Sequence, residues 1–290
     1  MLVLFTDTDT DMTPKDAEKY GYRLISMPYS IDGKTTYPYV DFDSFDAHAF
    51  YEGLRGGILP NTSAISVEQY IEHFEPVFAN GDDILYVHFS RSMTATFDSM
   101  DKALETLKEK YPERKFYAID TKGITIVSLN IAKEIGDMYL AGSTAEELLE
   151  WAKNEVDRFA VYFFADDLKF FRHSGRVSGL AGTMGTLLGI RPIIYMNEEG
   201  KMVSVGKEKG RNKAIDRLVS YMTELGLDVE KHRVIIGHAD SLSLAEELKS
   251  KIVAAFPDKK LNIEICEVNP TAGSHCGPDT VGVTFHAIHR

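Results

Sequence analysis

Short apolar runs and amphipathic stretches alternate along the chain, and that alternation predicts most of its elements. Positions 1–6 read as a buried first strand, and Thr13-Pro14 reads as an N-cap followed by a first-turn proline. A strand over 22–28 leads into a hairpin, Tyr29-Ser30-Ile31 and Lys34-Thr35-Thr36 about an Asp32-Gly33 turn, because Asp-Gly supplies the positive φ angles of a tight reversal. A short helix over 43–53 follows. Ser66 and Gln69 have the spacing of a capping box for a helix that ends near Asn80. The run 84–89 is a strand, with a helix after it to about Lys110, a strand over 115–120 and helices over 124–140 and 145–158.

This β/α alternation implies an α/β fold with a parallel sheet in the first half and a domain boundary near residue 155, giving segments 1–155 and 156–290. The second half repeats the theme. Strands are expected over 159–165, 192–196, 201–205, 234–237, 262–268 and 280–285, with helices over 212–225 and 242–256. Asn197-Glu198-Glu199-Gly200 is the turn of a hairpin, and 269–278 is read as a polar, glycine-rich turn.

Composition narrows the function. The chain is 44% hydrophobic and 26% charged, as globular proteins are, and its net charge of −12 excludes a nucleic-acid backbone as the main partner. Cys266 and Cys276 are too few for a disulfide framework or a thiolate metal centre, and they suit a reducing cytoplasm. The apolar start meets Asp7 too early for a signal peptide, and no apolar run approaches the roughly 20 residues of a membrane span. The expectation is a cytoplasmic protein.

Candidate chemistry lies in four places. Strand 84–89 runs into Ser90-Arg91-Ser92-Met93-Thr94-Ala95-Thr96 and then a helix, so hydroxyls gather where unpaired backbone N–H groups and the positive end of a helix dipole favour an anion. Thr62 and Ser63 precede a cap that Ser66 already provides, which frees them to form a second side of that pocket. Gly175, Gly179, Gly182, Gly185 and Gly189 recur at three- and four-residue steps, which on a helix would make one stripe open to close approach. Apolar residues Met184, Leu187, Leu188 and Ile190 accompany it. His275 sits among small residues in the 269–278 turn. The alternating Thr6–Asp11 run, with Glu18 placed like a last calcium ligand, is not an EF-hand. Met12 stands where the loop needs glycine, and a helix begins inside it.

Taken in order, Thr62-Ser63, Ser90 to Thr96, Gly175-Arg176 and His275-Cys276-Gly277-Pro278 resemble the motifs of the DegV family over essentially the whole chain. The resemblance implies two α/β domains, the first with a mainly parallel sheet and the second with a mixed one, and a long-chain fatty acid between them. It also implies no cofactor and no catalytic residue of the chain's own. Some members of that family present the acyl carboxylate to a separate kinase that phosphorylates it. Carried over by position, Thr62, Ser63, Thr94, Ala95 and His275 would bind the fatty acid, and Arg176 would serve phosphoryl transfer or partner contact. The chain departs from the family pattern in four places. Thr94-Ala95-Thr96 stands for Ser-Gly-Thr, Arg91 enters the same loop, Ser174 replaces the first glycine before Arg176, and Cys276 and Asp279 replace threonine and glycine. A hydrolase is the rival class, with Ser90 or Ser92 as nucleophile, His275 as base and Asp7 or Asp9 orienting it, although no Gly-x-Ser-x-Gly elbow is present.

Overall fold

The computed structural model describes residues 1–178 and 189–290. Its first half runs β1 (Leu2–Asp7), α1 (Pro14–Tyr20), β2 (Tyr22–Ile25), β3 (Tyr29–Ile31), β4 (Lys34–Thr36), α2 (Ala47–Arg55), β5 (Asn61–Thr62) and α3 (Val67–Ala79). It continues with β6 (Asp83–His88), α4 (Thr96–Lys110), β7 (Phe116–Asp120), α5 (Ile126–Leu140) and α6 (Ala145–Glu155). The second half holds β8 (Phe159–Phe164), α7 (Lys169–Ser174), β9 (Val177–Ser178), β10 (Ile190–Met196), β11 (Met202–Lys209) and α8 (Arg211–Leu225). It ends with β12 (Arg233–His238), α9 (Leu242–Ala255), β13 (Asn262–Glu267), α10 (Pro270–Cys276) and β14 (Val281–His286).

Strands β2-β1-β6-β7 form a parallel sheet in that order. The second sheet is mixed, in the order β13-β12-β14-β8-β10-β11-β9, and β4-β3-β5 form a small antiparallel one. Both main sheets match the expected α/β class. Helix α5 is the spine between them: Ile126 through Lys133 are all buried, and it packs on β8, β12 and β14 of the second sheet as well as on α1. A helix apolar on nearly every side is stable only when covered all round. Its one buried cation, Lys133, is paired with Asp16 at 3.3 Å and Glu264 at 2.7 Å, tying first-half and second-half elements to one charge.

Three expectations are corrected. The 269–278 segment is a helix: Asn269 caps it by accepting from Ala272 N, Pro270 occupies the first turn where its missing N–H costs nothing, and Gly277 ends it at φ +74°. Gly175 and Gly189, the two described glycines of the stripe, do not belong to one helix. Gly175 closes α7 at φ +66°, Val177–Ser178 is a strand and Gly189 has φ +86°, so no single helix joins the ends of that stripe. Gly179, Gly182, Gly185, Met184, Leu187 and Leu188 lie outside the described residues, and Ile190 opens β10. The strand expected over 22–28 stops at Ile25, because Ser26 and Met27 bond instead to Pro38 O and Thr8 Oγ1.

Candidate functional site

In the parallel sheet the chain leaves β1 toward β2 on one side, while β6 lies on the other, so the strand order reverses between β1 and β6. Loops beyond the carboxyl ends of such a pair splay apart and leave a crevice, the usual ligand position in open α/β sheets. Thr8–Asp11 follows β1 and Phe89–Ala95 follows β6, and these two loops form its walls. The first is held by Thr10 Oγ1 donating to Asp7 O at 2.7 Å and by Thr8 Oγ1 accepting from Met27 N at 2.9 Å.

All six residues singled out in the sequence line one polar pocket in this crevice: Thr62, Ser63, Thr94, Ala95, Arg176 and His275, together with Asp9, Phe89, Met93 and Thr271. It encloses about 650 Å3, counting its open mouth. Thr94 Oγ1 accepts from Thr96 N at 3.1 Å, so it caps the first turn of α4 and still has its hydroxyl hydrogen to give. Ala95 is the N-cap residue of α4, with φ −91° and no side-chain cap. That conformation suits any L residue, so alanine replaces glycine here without strain. Thr62 Oγ1 lies 3.0 Å from His275 Nε2. Ser63 and Arg176 are exposed at the pocket's edge, where Arg176 Nη1 donates to Ser174 O.

His275 is aimed by α10, and α10 is fixed to the first half of the chain. Asn269 donates to Asp11 Oδ1 from both its backbone N and its Nδ2, and Thr271 Oγ1 donates to Met27 O. Gly277 sets the end of α10 against Phe170, whose ring occupies the space a Cβ would need. Burial, with Arg176 and His173 nearby, pushes the His275 imidazole down to about 4. The ring is therefore neutral at pH 7, with one donor and one acceptor. With its hydrogen on Nε2 it donates to Thr62 Oγ1, and the Thr62 hydroxyl hydrogen is free to turn into the pocket.

A second, apolar cavity adjoins the first and shares Met93, Ile124 and His275 with it. Its lining comes from Ile126 of α5, from Val161, Phe163, Phe171, Met196 and Met202 of the second half, and from Ala272 and Cys276 of α10. An apolar lining with a few convergent polar groups is the ordinary form of small-molecule sites. The sequence reading placed the apolar lining on residues after Gly182. The described lining comes instead from β8, β10, β11 and α10, whose residues alternate or repeat as any core strand or helix does and so carry no separate signal.

The triad of the rival reading is not assembled. Ser90 is fully buried, and its hydroxyl donates to Gly200 O at 2.7 Å while accepting from Ser92 N. Ser92 Oγ donates to Glu199 O at 2.6 Å. Both serines fasten the 197–200 hairpin turn onto the first half of the chain. Gly200 is the glycine this contact requires, at φ +75° with its α-carbon against Ser90 Oγ. The His275 ring meets Thr62 and no carboxylate among the described residues, and its Nδ1 is buried without a partner.

The DegV family profile, described as uncharacterised protein, DegV family, matches residues 1–287. A DegV domain-containing protein of Clostridium perfringens is 29% identical over 98% of this chain and 96% of its own length. Another from Clostridium acetobutylicum is 28% identical over 98% of both chains. Among solved structures, the Thermotoga maritima protein described as a DegV lipid binding protein superposes with a TM-score of 0.83 at 23% identity, covering 100% of this chain and 99% of that one. The stearic acid-binding protein of Eubacterium ventriosum does so with a TM-score of 0.85 at 19% identity over 99% and 98%. With a family profile spanning nearly every residue and the expected pair of sheets in place, the chain belongs to the DegV family.

Proposed function

We propose that this protein binds a long-chain fatty acid, with the carboxylate in the polar pocket and the acyl chain in the apolar cavity. Residues 1–155 hold the carboxylate loops, and residues 156–290 cover the chain. The observation that carries this reading is that two cavities share Met93, Ile124 and His275 as a common wall, one lined by hydroxyls at a helix start and the other almost wholly apolar. An amphiphile with one charged end matches both. Burying the tail contributes about 0.8 kcal/mol per methylene, so a few polar contacts suffice to fix the head. Structural relatives from Thermotoga maritima, Eubacterium ventriosum and Bacillus subtilis are described as lipid-, stearic acid- and fatty acid-binding, which supports the same ligand class. The serines are spent on the 197–200 turn, so the reading is of a carrier and not a hydrolase.

Within that reading, the bound acid is presented to a separate kinase that forms the acyl phosphate. Arg176 supports this step: it is exposed at the mouth of the polar pocket, where a guanidinium can meet a phosphoryl group. Delipidated protein titrated with palmitate should saturate at one acid per chain. Arg176→Ala should keep that affinity within about threefold, a loss under 1 kcal/mol, while sharply reducing acyl-phosphate formation with a cognate kinase. Absence of saturable binding to the wild type would overturn the carrier reading. Equal loss of binding and turnover in the variant would make Arg176 part of the carboxylate site.

A further inference from the structure

Three carboxylates follow one another at the end of β1, and they are not equally provided for. Asp7 Oδ2 accepts from Tyr86 Oη at 3.1 Å and from Phe89 N at 3.2 Å. Asp11 Oδ1 accepts twice from Asn269, at 2.9 and 2.7 Å. Among the described residues each of the three keeps one buried oxygen without a partner, Asp7 Oδ1, Asp9 Oδ1 and Asp11 Oδ2, but Asp9, only 6% exposed, is the one whose carboxylate accepts no hydrogen bond from them and the one that lines the polar pocket. Thr62, Thr94 and His275 line the same pocket.

A buried carboxylate with no donor among the described residues is disfavoured as an anion, since its lost hydration is not replaced. Among the described residues, the titratable groups on the elements around it make matters worse or offer little. Asp7 and Asp11 repel it from the same segment, His275 on α10 is neutral, and Arg176 stands at the exposed edge of the pocket. Burial, followed by the charges of Asp7 and Asp11, holds the Asp9 carboxyl well above the usual carboxylate range. A shared cation is no remedy. Among the described residues the group whose oxygens and nitrogens converge closely enough for an ion is His48, Glu52 and Asp240, elsewhere on the surface.

A neutral carboxyl is a different object, with one O–H donor and a need for an acceptor. We propose that Asp9 acts as a carboxylic acid that donates its O–H to the ligand's carboxylate, so that the two carboxyl groups share one proton in the head pocket. This rests on the fatty-acid reading above and deepens it. Two carboxyl groups in one site cannot both ionise, and a carboxylic acid kept neutral by an apolar setting is a strong donor to an oxyanion. No bond other than the shared hydrogen bond forms or breaks, and the proton is the one Asp9 already carries. The pairing selects a ligand whose head is an acceptor and penalises none of the chain lengths.

The sign of one substitution decides the matter. If Asp9 donates, Asp9→Ala removes a hydrogen bond to a charged group and palmitate affinity falls by roughly tenfold or more. Asp9→Asn keeps an N–H donor in the same place, and its affinity stays within about threefold of wild type. If Asp9 were ionised, both variants would bind palmitate more tightly, because like-charge repulsion would be gone, and the proposal would be overturned. Infrared difference spectra supply an independent readout: adding palmitate labelled at its carboxyl carbon should shift the C=O stretch of a protonated carboxyl in the wild type, and that band should be missing from Asp9→Asn. An identical difference band in both proteins would also overturn it. Failure of the wild type to bind palmitate at all is a separate outcome and removes the fatty-acid reading itself. Circular dichroism and thermal unfolding of each variant confirm that the comparison is between folded proteins.

Discussion

Replacing Ala272 by phenylalanine is expected to close the apolar cavity and weaken palmitate binding by roughly 200-fold. Ala272 is buried on α10 with its side chain on the cavity wall, three residues before His275. A phenyl ring there adds volume at the cavity wall, and added volume at a buried position costs about 1–3 kcal/mol of folding stability, which thermal unfolding reads separately from binding. The ligand bears the cost. Displacing about four methylenes at about 0.8 kcal/mol each removes about 3 kcal/mol, which is the predicted 200-fold. A short-chain acid that fills only the head pocket should bind wild type and variant alike. Competition titrations with palmitate and hexanoate give both numbers; unchanged palmitate affinity in a folded variant would place the tail elsewhere.

The second large effect concerns the two hydroxyls. Thr94 accepts one hydrogen bond from Thr96 N, and Thr62 accepts one from His275 when that ring carries its hydrogen on Nε2, which leaves each O–H to donate. A bond to a charged group contributes about 1.5–3 kcal/mol, so Thr62→Val and Thr94→Val should each weaken a fatty acid by about ten- to a hundredfold. The methyl ester of equal length carries no charge to lose, and it should bind wild type and variants with nearly equal affinity. Thr94→Val also removes a first-turn cap and should cost about 1 kcal/mol in thermal unfolding, a loss separable from binding. Acid and ester losing affinity together would make both threonines structural elements only.

Much of this arrangement was legible in the order of residues, for identifiable reasons. Turn and cap chemistry is local, so the Asp32-Gly33 hairpin and the Ser66/Gln69 capping box appear as read. Thr94 and Ala95 reach the pocket because the loop after β6 opens at the switch point of the parallel sheet, whereas Thr62 and Ser63 come to it from β5, Arg176 from the α7–β9 connection and His275 from α10. Helix α10 departs from the expected turn because the Asn269-Pro270 start outweighs the glycine and serine that count against a helix. Serines 90 and 92 were read as ligand or nucleophile; their partners are backbone carbonyls more than a hundred positions away, beyond the reach of local pattern. Asp279 takes the place of the family's usual glycine and keeps a positive φ of 61°. Its carboxylate is held by Arg55, Arg211 and Ser241, so ion pairing supports a backbone conformation that glycine would adopt freely. The place of Asp9 in the polar pocket is not legible in the Thr6–Asp11 run, since burial and missing donors leave no mark on the residue order.

The most direct test of the central claim is to denature the purified full chain, extract it with organic solvent and quantify the extract by mass spectrometry against protein concentration. One long-chain fatty acid per chain, retained through purification, is the predicted result; extracts free of fatty acid from several preparations, with no uptake of added palmitate, would contradict it.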